Sequence, residues 1–272
     1  MSYSVNFASY TIGEDAYQNV EEVCERYGTK ALLIGGKAVD TAKGTAEKAG
    51  LPVFTFPTIA STCAATTALS VVYREDGNFD SFYFYDKPAR HSFIDTEIIA
   101  NAPERYLRAG IGDALGKYFE CHFAARGDQL EHSSALGREI SNMCYLPLRE
   151  YAEDALKECR EKKAGTALEQ VVLANIVSTG LVSLLVLDQY NCAIAHSVYY
   201  GLVLLPGFEE EKKAFLEKLG IRTTLKQMGA PTDREALKEV LTETVTGPDM
   251  EHIPYKVTED MIYDAMCKVE KL

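Results

Sequence analysis

In Ala109-Gly-Ile-Gly-Asp-Ala-Leu-Gly116 a lone carboxylate, Asp113, stands among small and apolar residues. Gly110, Gly112 and Gly116 leave the backbone bare around it, which suits close approach by another element or a ligand. The plainer alternative is an acid that charges the first turn of a helix, where unpaired N–H groups favour an anion. His196 lies in the alanine-rich run Cys192-Ala-Ile-Ala-His-Ser-Val198, either as a core histidine with its hydrogen bonds met or as a ligand. The apolar run Lys30-Ala-Leu-Leu-Ile34 leads into Gly35-Gly36-Lys37, a turn whose backbone N–H groups could receive a phosphate. It lacks the spacing G-x-G-x-x-G, so an ordinary tight turn stands beside that reading. The stretch Pro57 to Ser70 carries Thr58, Ser61, Thr62, Thr66 and Thr67 with little bulk. Such hydroxyls can bind a sugar, a phosphate or a carboxamide, or Thr58 or Ser61 can cap a helix.

These side chains need elements to hold them. Residues 3–12 have strand content, Glu14 to Tyr27 has helical spacing, and Lys30 to Ile34 and Pro52 to Phe56 predict two strands joined through a helix over Thr41 to Ala49. That is one βαβ unit, with parallel strands and a right-handed connection. Val71 to Arg74 and Asp80 to Tyr85 predict a hairpin, and His91 to Asp95 a further strand. From Pro103 the periodicity turns helical, over Ser133 to Glu150, Tyr151 to Glu161 and Thr166 to Leu187. Charged amphipathic helices follow over Glu209 to Leu219, Asp233 to Val245 and Thr258 to Val269. Val171 to Leu187 is apolar nearly all round and predicts the central buried helix. The fold class is therefore an α/β N-terminal domain over 1–103 followed by an all-α helical domain over 104–272.

The 272 residues carry a net charge of -12. That balance disfavours nucleic acid or an anionic membrane as the main partner and leaves a small soluble ligand. No apolar run predicts a membrane span, and the N-terminus lacks the basic start of a secretory signal, so a cytoplasmic protein is expected. The seven cysteines are dispersed without a C-x-x-C pair and read as reduced thiols.

Read in order, Gly36-Lys-Ala-Val-Asp40-Thr-Ala-Lys43, Pro57 to Thr62 with Ala68 to Tyr73, Asp95 to Pro103, Ala109 to Leu115, and Ala195-His196 with Gly201-Leu202 resemble the glycerol dehydrogenases. These form a branch of the metal-dependent, iron-containing type alcohol dehydrogenase superfamily. The resemblance implies that Gly36, Lys37, Ala38, Val39 and Asp40 lie along the pyrophosphate of NAD. It implies that Thr58, Ile59, Ala60, Ser61, Thr67, Leu69 and Tyr73 line the rest of the cofactor site, and that Asp113 and His196 are metal ligands. The expected ion is zinc, alternatively iron. The expected activity is hydride transfer between a small alcohol or polyol and NAD, by a homo-oligomer.

The chain departs from that family in places. Cys63 stands at the substrate position where those enzymes carry an aspartate, and Tyr199 replaces the second histidine of a His-x-x-His. The family's later metal histidine, in a His-Gly pair, is absent, because Leu202 to Phe208 runs directly into Glu209-Glu-Glu-Lys. Leu32 to Lys37 looks like a splice that omits strands and the ribose-binding acid, leaving a truncated Rossmann-like parallel sheet. His122, nine residues after Asp113, falls about half a turn out of phase on a straight helix and faces away from it. The alternative to an active dehydrogenase is a shortened, inactive homologue that binds a nucleotide or metal or serves as a scaffold.

Overall fold

The computed structural model of the chain describes residues 5–36, 39–74, 79–202, 224–251, 253 and 256–271. Among these residues the parallel sheet has three strands, β1 (Ser9–Gly13), β2 (Phe54–Thr55) and, between them, the strand His91–Asp95. The antiparallel hairpin pairs β3 (Leu69–Tyr73) with β4 (Phe79–Phe84), so the central strand is β5. Ser9 lies opposite His91 and Gly13 opposite Asp95, while Phe54 pairs with His91 from the other side.

Every residue of β5 is buried, which suits a parallel strand covered on both faces. Its polar groups are matched across the ladder. The two ring nitrogens of His91 lie 2.7 Å from Ser9 Oγ and 2.9 Å from Thr11 Oγ1, and Thr55 Oγ1 donates to Ser92 Oγ at 3.0 Å. Phe93 stacks on Phe56 with centroids 5.0 Å apart. At the end of the strand Asp95 accepts the Ile98 N–H at 2.9 Å and so starts the helix Thr96–Asn101.

In chain order the helices are α1 (Val20–Cys24), α2 (Val39–Lys48), α3 (Thr96–Asn101), α4 (Glu104–Ala124), α5 (His132–Ile140), α6 (Leu146–Arg160), α7 (Thr166–Leu185), α8 (Ile194–Leu202), α9 (Leu225–Met228), α10 (Lys238–Thr246) and α11 (Glu259–Val269). One large core gathers Ile94, Ile99 and Leu107 with Leu168, Val171, Val172, Ile176 and Val182, and a smaller one gathers Leu225, Leu237, Val240, Leu241 and Ile262. By length and composition α7 could cross a bilayer, contrary to the expectation that no run would, yet its Val171, Val172, Ala174, Ile176 and Val182 are all fully buried in protein. It is the central core helix that the periodicity predicts.

Three element predictions are corrected. Lys30 to Ile34 forms no strand and pairs with neither edge of the sheet β1-β5-β2. Leu32 and Leu33 are 85% and 87% exposed, so the expected βαβ unit does not form. The helix expected over Glu14 to Tyr27 is broken into α1 flanked by tight 3-10 turns at Ala16–Asn19 and Glu25–Tyr27. That expected over Ser133 to Glu150 breaks at the 3-10 turn Ser141–Cys144, where Ser141 Oγ donates back to the Arg138 carbonyl at 2.6 Å. The helix expected over Glu209 to Leu219 lies outside the described residues.

The middle of α7, Leu173–Ser178, is π-helical, and this widening is where the hydroxyl-rich loop attaches. Thr66 Oγ1 donates to the Ile176 carbonyl at 2.6 Å, and Asn175 Nδ2 donates to the Ala60 carbonyl at 3.1 Å. On α4, a Cβ at Gly110 would fall 1.9 Å from the Ala60 carbonyl oxygen. Only glycine lets the loop, α4 and α7 meet this closely.

Candidate active site

Asp113 does not start a helix. It sits in the middle of α4, which begins at Glu104, so the first-turn capping role is corrected. Lys117 and Glu120 follow at four and seven residues, on the same face. That face meets the segment entering α8.

Glu120 is buried, and its carboxylate gathers the start of α8. Oε1 accepts the backbone N–H groups of Ala193 at 3.0 Å, Ala195 at 2.8 Å and His196 at 3.2 Å, while Oε2 lies 2.5 Å from His196 Nδ1. One turn earlier, the buried Lys117 ammonium donates to the Asn191 carbonyl at 2.5 Å and to Asn191 Oδ1 at 2.6 Å. Asn191 Nδ2 reaches Ser183 Oγ at 3.4 Å, which in turn lies 2.8 Å from Thr67 Oγ1. A polar chain therefore runs from the charged face of α4 to the hydroxyl loop.

The charges feel one another. Burial pushes the Asp113 carboxyl up, against the pull of His196 and Lys117. Burial, then the field of Asp113, pushes the Cys63 thiol up to about 12. Burial alone would lower His196, but Cys192 and the Glu120 carboxylate outweigh it and hold the ring well above 6.5. Burial would likewise raise Glu120, and its bonds to His196 overcome this and lower it. Lys117 stays charged, because the surrounding Cys192, Cys63, Asp113 and Glu120 outweigh its desolvation. Asp249 enters the same field from the 3-10 turn Pro248–Met250, and burial raises it to about 6. Its Oδ2 is buried without a hydrogen-bond partner among the described residues.

The fold thus brings Asp113, His196 and Cys63 into one charged cluster. It adds Lys117, Glu120, Asn191 and Asp249, which sequence reasoning missed. The spacing of four and seven residues from Asp113 was the available signal for Lys117 and Glu120; nothing in the sequence pointed to Asp249.

The residues expected at the cofactor are spread more widely. Thr58 and Ile59 line an open cleft of about 540 Å³ with Glu97 and Asn101, and Thr67 and Leu69 line a cavity of about 200 Å³ with Ser183 and Asn191. Ala60 is buried under α4 and α7, and Ser61 is half-buried. Asp40 is exposed in the first turn of α2, where its carboxylate accepts the Ser70 hydroxyl at 2.5 Å. Tyr73 is exposed at the end of β3, and Gly36 is exposed with a φ of 68°. Val39 opens α2, while Lys37 and Ala38 lie outside the described residues.

Among the described residues, no three His, Cys, Asp or Glu side chains are gathered as a metal ion would need. His91 has both nitrogens engaged, and His122 is turned to the Tyr118 carbonyl and Ser141. The donor chemistry still suits a divalent cation. Glu120 bonds Nδ1 of His196, Cys192 bonds the same ring, the Asp113 carboxylate lies in its field, and Asp249 has a buried oxygen with no hydrogen-bond partner among the described residues.

The small parallel sheet followed by a helical body is the fold of solved glycerol and iron-containing alcohol dehydrogenases. No family model matches the chain. Among curated proteins it is 31% identical over 269 residues to the glycerol dehydrogenase of Thermotoga maritima, covering 87% of this chain and 73% of that one. It is 29% identical over 293 aligned positions to the glycolaldehyde reductase of Halobacterium salinarum, covering 95% and 79%. Those 293 positions exceed the 272 residues of this chain, so the relative carries residues that this chain skips. The crystal structure of glycerol dehydrogenase from Schizosaccharomyces pombe superimposes with a TM-score of 0.82 at 24% identity, over 99% of this chain and 91% of that one. The chain belongs to the glycerol dehydrogenase family.

Proposed function

We propose that the chain is an NAD-dependent, metal-dependent oxidoreductase that moves hydride between a small alcohol or polyol and NAD. What supports this is that Glu120 of α4 bonds His196 directly, while Asp113, two turns earlier on the same face, feels the charge of that ring. Asp113 and His196 Nε2 are the groups that would hold the ion, zinc or iron, which when bound polarises the substrate oxygen. Glu120 keeps His196 oriented. The hydroxyls of Thr58, Ser61 and Thr67, with Ile59, Ala60, Leu69 and Tyr73, are the proposed cofactor wall, and Gly36 to Asp40 the pyrophosphate end. The division into a nucleotide-binding part over 1–103 and a helical part over 104–272, a homo-oligomer and a cytoplasmic setting belong to the same proposal.

Cys63 bears on the substrate. Its thiol stays protonated to about 12 and is a weak acceptor, unlike a carboxylate that could take two neighbouring hydroxyls. Glycerol is therefore expected to bind no better than a simple alcohol of similar size. The test is NAD reduction by a panel of alcohols, diols and glycerol in the presence of zinc or ferrous iron. Turnover with at least one of them, abolished by Asp113→Asn, is the expected result. A folded sample inactive on the whole panel would overturn the activity.

A further inference from the structure

All four hydrogen bonds of Glu120 among the described residues go to one short stretch of chain. Oε1 takes three backbone N–H groups from residues 193, 195 and 196, and Oε2 takes the ring of the last of these. The backbone bonds fix where the helix carrying His196 begins. The ring bond decides which imidazole nitrogen bears the proton, because an ionised carboxylate has only lone pairs to offer and Nδ1 must be the donor.

We propose that Glu120 is the positioning residue of the site: it pins the entry to α8 through Oε1 and, through Oε2, holds the His196 proton on Nδ1, which leaves the lone pair on Nε2. The part that concerns metal rests on the proposed function; the tautomer does not. A carboxylate behind a ligating imidazole orients the ring and raises its basicity, and removing such a partner typically weakens metal binding about 10–100-fold.

Glu120→Gln separates the two halves of this role. The glutamine carbonyl oxygen can still receive the three backbone N–H groups, so the helix entry survives. Its NH2 group then faces Nδ1 as a donor, and the ring proton must move to Nε2. In the zinc-free full-length chain, at a pH high enough to neutralise the ring, nitrogen-15 spectra of labelled histidine should show His196 protonated on Nδ1 in the wild type and on Nε2 in Glu120→Gln. Calorimetric titration with zinc ion should show binding weakened about 10–100-fold in Glu120→Gln, with a melting temperature close to wild type. Glu120→Ala should lose both zinc affinity and stability. A wild-type ring protonated on Nε2, or wild-type zinc affinity in Glu120→Gln, would overturn the positioning role. Failure of the wild type to bind zinc, with the Nδ1 tautomer present, would instead count against the metal in the proposed function and leave the Glu120 assignment standing.

Discussion

Asp249 is a carboxyl whose surroundings oppose its ionisation, and the direction of its pH effect follows from that. Its pKa rises from 3.8 to about 6 through burial. The unfolded chain therefore releases this proton at lower pH than the folded one, and stability is lost as pH climbs from about 4 to about 6, by up to about 3 kcal/mol. Asp249→Asn removes the charge while keeping the shape. It should raise the melting temperature by several degrees at pH 7.5 and by little at pH 4, as read by calorimetry at the two pH values. Lys117 works in the opposite sense, since its ammonium fills the two acceptor positions of Asn191. Lys117→Met would leave both oxygens buried without a donor and should cost about 3 kcal/mol in urea unfolding. At this scale the sequence was half legible. Asp113 and His196 stood out by type and by motif, and the helical spacing of Lys117 and Glu120 from Asp113 was there to be read. Asp249 was not, because only tertiary packing of a distant turn brings it to His196.

Helix α4 shows how much of an element's role lies in its smallest residues. Gly110 and Gly112 look equivalent in sequence, yet a Cβ at Gly110 would sit 1.9 Å from the Ala60 carbonyl oxygen and 2.5 Å from Asn175 Nδ2, whereas one at Gly112 would meet nothing within 4 Å. Gly112→Ala should therefore stabilise the protein by about 1 kcal/mol, the helix-propensity difference alone. Gly110→Ala should destabilise it by more than about 2 kcal/mol, because a backbone carbonyl cannot step aside without shifting the loop that carries Thr58 to Thr67. Chemical denaturation of the two variants measures both signs, and similar values for the two would contradict the packing described. Helix type and order were legible from apolar spacing, and so were the hairpin and β5. The strand expected at Lys30 to Ile34 was not a strand, because composition reports a preference for the sheet while pairing requires a docked neighbour, and this stretch docks on neither edge, β1 or β2.

For the whole molecule, that unpaired stretch has a consequence for solution behaviour. Leu32 and Leu33 are 85% and 87% exposed, and Phe7 and Leu51 are also exposed large apolar side chains. A chain of net charge -12 resists association by repulsion, but salt screens that repulsion and leaves exposed leucines free to seek cover. Within a single chain the double substitution Leu32→Ser, Leu33→Ser removes almost no buried area, so the melting temperature should move by less than about 1 °C. Solubility at high salt should rise. The measurement is a pair of melting curves at two protein concentrations, with light scattering across a salt series. A fall of about 5 °C in the variant, together with a wild-type melting temperature that climbs with concentration, would show that a second copy of the chain covers these leucines in solution. A concentration-independent curve and unchanged stability would show that this stretch stays open to water.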